Sequence, residues 1–241
     1  MDLVTRELLE RHAQITGEST FRLYGMDWDL LPSVYAPGLT NGAALYADWL
    51  EFRPGMRFCE VGCGSGYLSV LAALRGCTPV VALDIDARAV ENTRRNALRH
   101  RVQHLVQARA GDLFAPLSAE ERFDLIFWNS SFIDAEGEDG TLPRTALYDE
   151  GYSTHARFLR EARSHLTRDG RLQLGFSDLG SIEQLKQVAH VTGSELRVRR
   201  AALAPSQYRD ITYQLIEMVP PDLRPAASLP GASAGDSEVR P

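Results

Sequence analysis

From about residue 40 to residue 219, short apolar runs alternate with stretches whose apolar positions recur every three or four residues. RFCEV (57–61) is an apolar run that stops at glycine and predicts a buried strand, and YLSVLAALR (67–75) predicts a helix stopped by Gly76. PVVALD (79–84) is rich in β-branched residues, as strands are. In the next segment Ala87, Val90, Ala97 and Leu98 share one helical face, while Arg88, Glu91, Arg95 and Arg99 share another that reads as solvated. VQHLVQA (102–108) and RFDLIFW (122–128) predict two more strands, with a short helix or turn near 116–121 between them. Leu159, Ala162 and Leu166 mark a helix ending at Asp169-Gly170, RLQLGFS (171–177) a strand, and Ser181 to about Val191 a further helix. ELRVRRAAL (195–203) and ITYQLIEMV (211–219) follow with only a Pro-containing turn between them, so they should pair antiparallel. Strands that alternate with helices in this way predict a doubly wound α/β domain.

The flanks are less regular. Residues 2–15 predict an amphipathic helix, and a second helix covers about 41–52, ending before Pro54-Gly55. GMDWDLLPSVYAPGLTNG (25–42) is too punctuated by Gly and Pro to be one element throughout. From Pro220 the chain is Pro, Ala, Ser, Gly and charge, which predicts a disordered tail. The expected organisation is an N-terminal helix and lid over 1–40, one domain over 41–219, and the tail over 220–241.

A chain of 241 residues can bury a sizeable core as one domain. Its net charge of -6 argues against a general affinity for nucleic-acid phosphates. There is no apolar run of about 18 residues, and MDLVTRELLERHAQ is charged where a signal peptide would be apolar, so a cytoplasmic protein with no membrane partner is expected. Cys59, Cys63 and Cys77 read as reduced, buried thiols. No second Cys/His pair completes a zinc site with Cys59 and Cys63, and no metal is predicted.

The chemistry concentrates where the strand RFCEV runs into Gly62-Cys63-Gly64-Ser65-Gly66 and then a helix. Glycines there let backbone approach a ligand closely, although a plain tight turn would use them too. Asp84 closes the next strand about twenty residues on, where a carboxylate can accept both ribose hydroxyls of a nucleoside. Its competing role, capping the following helix, falls more naturally to Asp86 or Ala87. The glycine spacing is G-x-G-x-G, with Tyr67 next, where a pyrophosphate binder has G-x-G-x-x-G. Glu60 stands two residues before the first glycine, where it would repel a pyrophosphate and attract an ammonium. The cofactor is therefore expected to be cationic.

FCEVGCGSG, VVALDID and AGDLF (110–114) together resemble the first three motifs of class I S-adenosylmethionine (SAM) dependent methyltransferases, over about residues 34–218. The resemblance implies that Glu60, Gly62, Cys63, Gly64 and Gly66 hold the amino-acid end of SAM. It makes Asp84 the ribose carboxylate and places Ile85 beside the adenine, with Asp112 receiving the adenine amino group and Leu113 offering its backbone amide. VYAPGLTNGAALYADWL (34–50) is similar to the segment before the first motif in HemK-like enzymes, and Tyr35, Pro37 and Thr40 match the part that helps close the site. The implied fold is a Rossmann-like, seven-stranded, mostly parallel sheet with an antiparallel edge hairpin.

Asn129-Ser130-Ser131-Phe132 is similar to the N-P-P-Y/F motif of amide and exocyclic-amine N-methyltransferases. The resemblance implies that the Asn129 side-chain oxygen, at the border of cofactor and acceptor, orients a planar nitrogen while Phe132 packs against it. A plain turn residue at a strand end is the competing reading of Asn129. Serines in place of both prolines predict a looser turn and weaken the case for an amide. The loop beyond carries Asp134, Glu136, Glu138, Asp139, Asp149 and Glu150. A solvated loop is the plainer reading, and the sharper one makes Asp149 and Glu150 receive a guanidine or amine. His155 lies on the apolar face of the next helix, where a satisfied buried histidine is favoured over a catalytic base on the substrate side.

With no appended basic or nucleic-acid-reading domain, the expected activity is N-methylation of a small amino-acid-like, guanidine or amine metabolite, without a nucleic-acid partner. A protein glutamine amide is the alternative acceptor. An NAD-dependent oxidoreductase and a non-catalytic SAM-binding protein are the rivals from other classes. Fold and cofactor site do not by themselves name an acceptor.

Overall fold

A computed structural model describes residues 3–134 and 146–219. The tail from 220, and Glu136, Glu138 and Asp139 of the acidic loop, lie outside the described residues.

The apolar runs form a central sheet of β3 (Phe58–Val61), β4 (Val80–Asp84), β5 (Val106–Ala110), β6 (Phe123–Asn129), β7 (Leu166–Ser177), β8 (Glu195–Ala204) and β9 (Ile211–Val219). Their spatial order is β5-β4-β3-β6-β7-β9-β8. The first five are parallel to one another, and β9 lies antiparallel to both β7 and β8. The seven-stranded sheet and its antiparallel edge hairpin are as expected.

Successive strand residues face opposite cores, which is the two-residue period of a sheet covered on both sides. Phe58, Val80, Ala82, Leu125 and Phe127 pack with α2 (Gly42–Trp49) and α3 (Tyr67–Leu74). Cys59, Val61, Val81, Ile126 and Trp128 pack with α5 (Ser153–Ala162) and α6 (Ile182–Val191). From β3 the chain winds outward through β4 to β5, then returns to place β6 on the other side of β3. The strand order thus reverses between β3 and β6, and the carboxyl ends of these two strands open on the crevice where such sheets bind ligands.

Four features depart from the sequence reading. First, β1 (Ser19–Leu23) and β2 (Met26–Leu30) form an antiparallel hairpin that the Gly- and Pro-rich reading of 25–42 passed over. Its two-residue turn has positive φ at Tyr24 (54°) and Gly25 (69°), a twist that matches paired strands.

Second, α4 (Ala87–Arg99) buries Val90 and Ala97 and exposes Arg88, Glu91 and Arg99 as read, but its buried face extends beyond the one read. Leu98 is exposed, whereas Asn92, Thr93 and Asn96 are fully buried. The reason is the hairpin. The Asn92 amide oxygen accepts Leu31 N–H at 2.8 Å and its nitrogen donates to the Asp29 carbonyl at 2.8 Å, while Asn96 accepts Asp29 N–H at 2.7 Å. Two asparagines thus satisfy the hairpin's outer backbone groups.

Third, β5 starts at Val106, because Val102–Leu105 is spent on a turn closed by Leu105 N–H to the Val102 carbonyl at 2.9 Å. Fourth, Leu166 belongs to β7 and pairs with Phe123, so the helix read through it ends early. Asp169-Gly170 is an irregularity within β7, where a Cβ on Gly170 would stand 2.8 Å from the Phe123 carbonyl oxygen.

α1 (Leu3–Ala13) lies against the site side of the domain, with Leu8 packed among Leu147, Tyr35, Leu39 and Phe132. His12 is buried on the same helix, its ring 4.9 Å from that of Tyr35, and its Nε2 has no hydrogen-bond partner among the described residues. Burial first, and the neighbouring Arg11 charge second, lower its pKa to about 4. The unfolded chain therefore takes up a proton near pH 6.5 that the folded chain refuses until about pH 4. This contribution to stability is complete above pH 6.5 and is lost as the pH falls. Glu60 and Asp84, whose pKa values burial raises, work in the opposite direction, so a comparison of two proteins isolates the histidine. His12→Phe keeps the ring contact, and relative to wild type it should recover on the order of 2 kcal/mol of stability between pH 6.5 and pH 5. Parallel urea melts at the two pH values check this, and equal acid losses in both proteins would refute it.

Candidate active site

A cavity of about 300 Å³ opens at the switch point, between the ends of β3, β4 and β6 and the 33–43 segment. The size suits a small-molecule site. At its wall Gly62 (φ +65°) and Gly64 (φ +53°) turn the backbone left-handed, and no atom lies within 4 Å of where a Gly64 Cβ would stand. Gly66 does something else. It does not line the cavity, and a Cβ there would stand 2.5 Å from Thr93 Oγ1, so this glycine lets α3 press against α4. Cys63 reaches the cavity, but its buried thiol receives a hydrogen bond from Thr93 Oγ1 at 3.2 Å.

Glu60 is 2 % exposed and contributes to the cavity wall. Its Oε2 accepts both the backbone N–H (3.0 Å) and the hydroxyl (2.5 Å) of Ser69, in the first turn of α3. Burial pushes this carboxyl up to about 8 against the pull of those two bonds. Asp84 ties the motifs together: Oδ2 accepts Gly64 N–H at 2.9 Å and Oδ1 accepts Asp86 N–H at 2.9 Å. Each bond uses one lone pair, so each oxygen keeps acceptor capacity for a ligand hydroxyl. Asp86 caps α4, accepting Arg88 N–H at 2.9 Å.

Ile85 also lines the cavity and is 52 % exposed, an apolar surface offered to a flat partner. Leu113 is buried with φ +46°, and strain of this kind in a non-glycine residue persists where the surroundings enforce it. Asp112 is not a lone carboxylate. Arg157 of α5, which the sequence reading missed, pairs with it at 2.9 Å, and both reach the cavity. Tyr35, Pro37 and Thr40 close the side nearest α1, with the Tyr35 hydroxyl 3.2 Å from Thr40 Oγ1.

Asn129 ends β6 and lines the cavity, and its side chain hydrogen-bonds to no other described residue. Ser130 N–H and Ser130 Oγ both donate to the Gly175 carbonyl, at 3.1 and 3.0 Å. Phe132 N–H donates to the Leu147 carbonyl at 3.1 Å, and the Phe132 carbonyl accepts the Tyr152 hydroxyl at 2.9 Å. The expected looseness of this turn is therefore corrected. A proline at 130 would have no N–H to give, and the serine fixes the same strand end by donation instead of ring rigidity.

Gly175, two strand positions before the end of β7, is the residue that sequence reasoning passed over. A Cβ there would lie 2.7 Å from Tyr46 Cζ and 3.0 Å from Asn129 Oδ1, so only glycine lets both side chains cross β7. An isolated glycine inside RLQLGFS was the available signal. Gly175→Ala should lower kcat at least tenfold through displacement of Asn129, with the fold retained by circular dichroism. A kcat equal to wild type would show that Asn129 need not sit there.

The three substrate-side candidates fall outside this cavity. Asp149 is buried and turned inward: Oδ1 accepts Thr154 N–H at 2.9 Å, and Oδ2 meets His155 N–H at 3.0 Å and His155 Nδ1 at 2.6 Å. Burial works against its charge, but these hydrogen bonds outweigh it and hold the carboxyl below its usual range. His155 is 0 % exposed among Trp128, Tyr152 and Phe176, and burial lowers its pKa, so it is a neutral imidazole donating from Nδ1 to Asp149. Glu150 is exposed. A cationic acceptor held by Asp149 and Glu150 is thus corrected, because the first is consumed as a helix cap and histidine partner and the second is exposed and does not line the cavity.

The donor set discriminates among cofactors. Asp84, Asp86 and Asp112 bring carboxylates to one cavity, Glu60 adds a buried carboxyl whose ionised form a neighbouring cation would favour, and Arg157 beside them is paired with Asp112. A pyrophosphate would meet repulsion there, whereas a cationic amino-acid nucleoside meets complementary charge.

A family model described as a methyltransferase domain matches residues 52–213, which takes in every motif above except the 33–43 segment. The chain belongs to this methyltransferase family. The methyltransferase's cofactor is SAM, as the three motifs implied, and the oxidoreductase alternative falls away. Over 125 residues it is 38% identical to a ribosomal protein uL3 glutamine methyltransferase of Bradyrhizobium diazoefficiens, covering 48% of this chain and 39% of that one. Over 85 residues it is 40% identical to a ribosomal protein L11 methyltransferase of Burkholderia cenocepacia, covering 32% and 28%. The matched stretches thus span well under half the length of these curated relatives. Among solved structures, a T. thermophilus 16S rRNA methyltransferase in complex with AdoMet and guanosine shares the methyltransferase's fold, with a TM-score of 0.60 and 19% identity over 84% of this chain and 50% of that one. A ribosomal protein L11 methylase from Lactobacillus delbrueckii gives a TM-score of 0.52 and 21% identity over 74% and 77%.

Proposed function

We propose that this methyltransferase moves a methyl group from SAM to the side-chain amide nitrogen of a glutamine in a ribosomal protein. The observation that carries the reading is Asn129, placed at the switch-point cavity on a turn pinned by Ser130 and Phe132, with its side chain hydrogen-bonding to no other described residue. A relative named for methylating uL3 glutamine, 38% identical over the matched stretch, supports the protein acceptor over the small metabolite that the absence of a basic domain suggested.

In this reading the turn at Gly62–Gly64, with Glu60, holds the amino-acid end of SAM. Asp84 accepts the ribose hydroxyls, and Ile85, Asp112 and Leu113 receive the adenine. When bound, SAM supplies an electrophilic methyl group on a sulfonium sulfur. The lone pair of an amide nitrogen is delocalised into its carbonyl, so the protein has to orient it. Asn129 Oδ1 accepts one amide N–H, turning the nitrogen's π face toward the methyl group, while Phe132 packs beside the amide plane. The nitrogen–carbon bond forms as the carbon–sulfur pair returns to sulfur, and the displaced N–H proton passes to water. Alignment and exclusion of solvent can account for about 7–11 kcal/mol of barrier lowering without a metal.

The test is transfer of label from methyl-tritiated SAM to recombinant ribosomal protein uL3, with the modified residue located by tandem mass spectrometry. Methylation of a glutamine side chain is expected. Label found only on ribosomal RNA or on a free metabolite would overturn the assignment.

A further inference from the structure

A second cavity of about 290 Å³ lies beside the first, between α1, the 38–41 segment and the turn joining β8 to β9. Leu8, Thr40, Leu179 and Tyr213 border both, so the two spaces adjoin along one wall. The second space lies toward β9, on the side of the sheet away from Asp84. We infer that this groove, continuous with the proposed glutamine site, binds the polypeptide segment next to the methylated residue.

Its lining suits a peptide. Val4, Leu39 and Ile211 give apolar contact, and Gln207 brings an amide to a backbone that alternates donors and acceptors, while the Ser206 hydroxyl, which donates to the Arg209 carbonyl at 2.5 Å, keeps acceptor capacity. The wall is braced, since Asn41 Nδ2 donates to the Pro205 carbonyl at 3.0 Å and Arg11 donates to the Leu39 carbonyl at 3.4 Å. The charge argues against an RNA strand. Arg11 is the one cation among the described lining residues, and it lies 4.0 Å from Glu7, which offsets it. The β8–β9 turn also leaves Tyr208 52 % exposed and Leu203, just before it, 65 % exposed. Unburied apolar side chains beside a mixed groove are a feature of protein-binding surfaces.

The inference rests on the protein-acceptor reading, and its test separates the two. Gln207→Trp fills the groove from an exposed position outside the SAM cavity, and Glu7→Trp fills it from the opposite wall. With recombinant uL3 as acceptor, each variant is expected to raise KM for uL3 at least tenfold. Affinity for SAM by calorimetry and kcat at saturating uL3 should stay within about twofold of wild type. An unchanged KM in both variants would overturn the groove while leaving the methyl transfer in place. Wild-type protein that methylates ribosomal RNA and not uL3 would overturn the groove and the protein-acceptor reading together.

Discussion

Asp84→Ala is expected to weaken SAM binding about 100-fold, the largest effect on affinity of any single change in the site. The carboxylate already orders the Gly64 and Asp86 amides, and it lines the cavity with acceptor capacity left on both oxygens. Hydrogen bonds to a charged acceptor contribute about 1.5–3 kcal/mol each, and two of them at the lower end of that range amount to about 3 kcal/mol, or roughly two decades in Kd. Alanine also releases the Gly64 N–H that fixes the glycine turn to β4, so the loss has a positioning component beyond the ribose contacts. Calorimetry with SAM and with S-adenosylhomocysteine should show similar losses for both, because the sugar is common to them. An affinity equal to wild type would remove Asp84 from the cofactor site, and with it the motif assignment of VVALDID.

Asn129→Ala should leave SAM affinity within about twofold and lower kcat by roughly 100- to 1000-fold, the range found when one preorganised polar group is removed from a reacting centre. The separation of the two effects is diagnostic. A residue that orients the acceptor acts on the chemical step, whereas a residue that only shapes the turn would disturb SAM and acceptor alike. Asn129→Asp keeps an acceptor oxygen and should retain more activity than the alanine variant. A kcat within tenfold of wild type for Asn129→Ala would mean that the amide nitrogen is oriented by other groups, and the glutamine reading would lose its main support.

The two experiments probe the two halves of the crevice. β3 and β4 deliver Asp84 and the glycine turn on one side, and β6 with β7 delivers Asn129 over Gly175 on the other. The proposed groove continues the second half outward toward α1, so a change at Gln207 belongs with Asn129 in acting on the acceptor and differs from it in acting on KM.

The chain by itself determined the alternation of strands and helices, the glycine turn, Asp84 at the close of β4 and Asn129 at the close of β6. These are local matters, because side chains alternate faces along a strand, so an uninterrupted apolar run must be buried on both, and a turn after it must use residues whose backbone can bend there. What only the tertiary structure decided was the use of polar groups. Asn92 and Asn96 carry no signal in the sequence until the β1–β2 hairpin lies across them, and Asp149 reads as part of an acidic loop until α5 and His155 close over it. Gly66 and Gly64 look alike in sequence, yet one meets Thr93 and the other meets open space. For Asn92, Asn96 and Thr93, whether a buried polar atom is spent on the fold or left for a ligand depends on partners 30 to 70 residues away. Sequence spacing does not encode those partners, because burial makes pairing obligatory without saying which distant group supplies it.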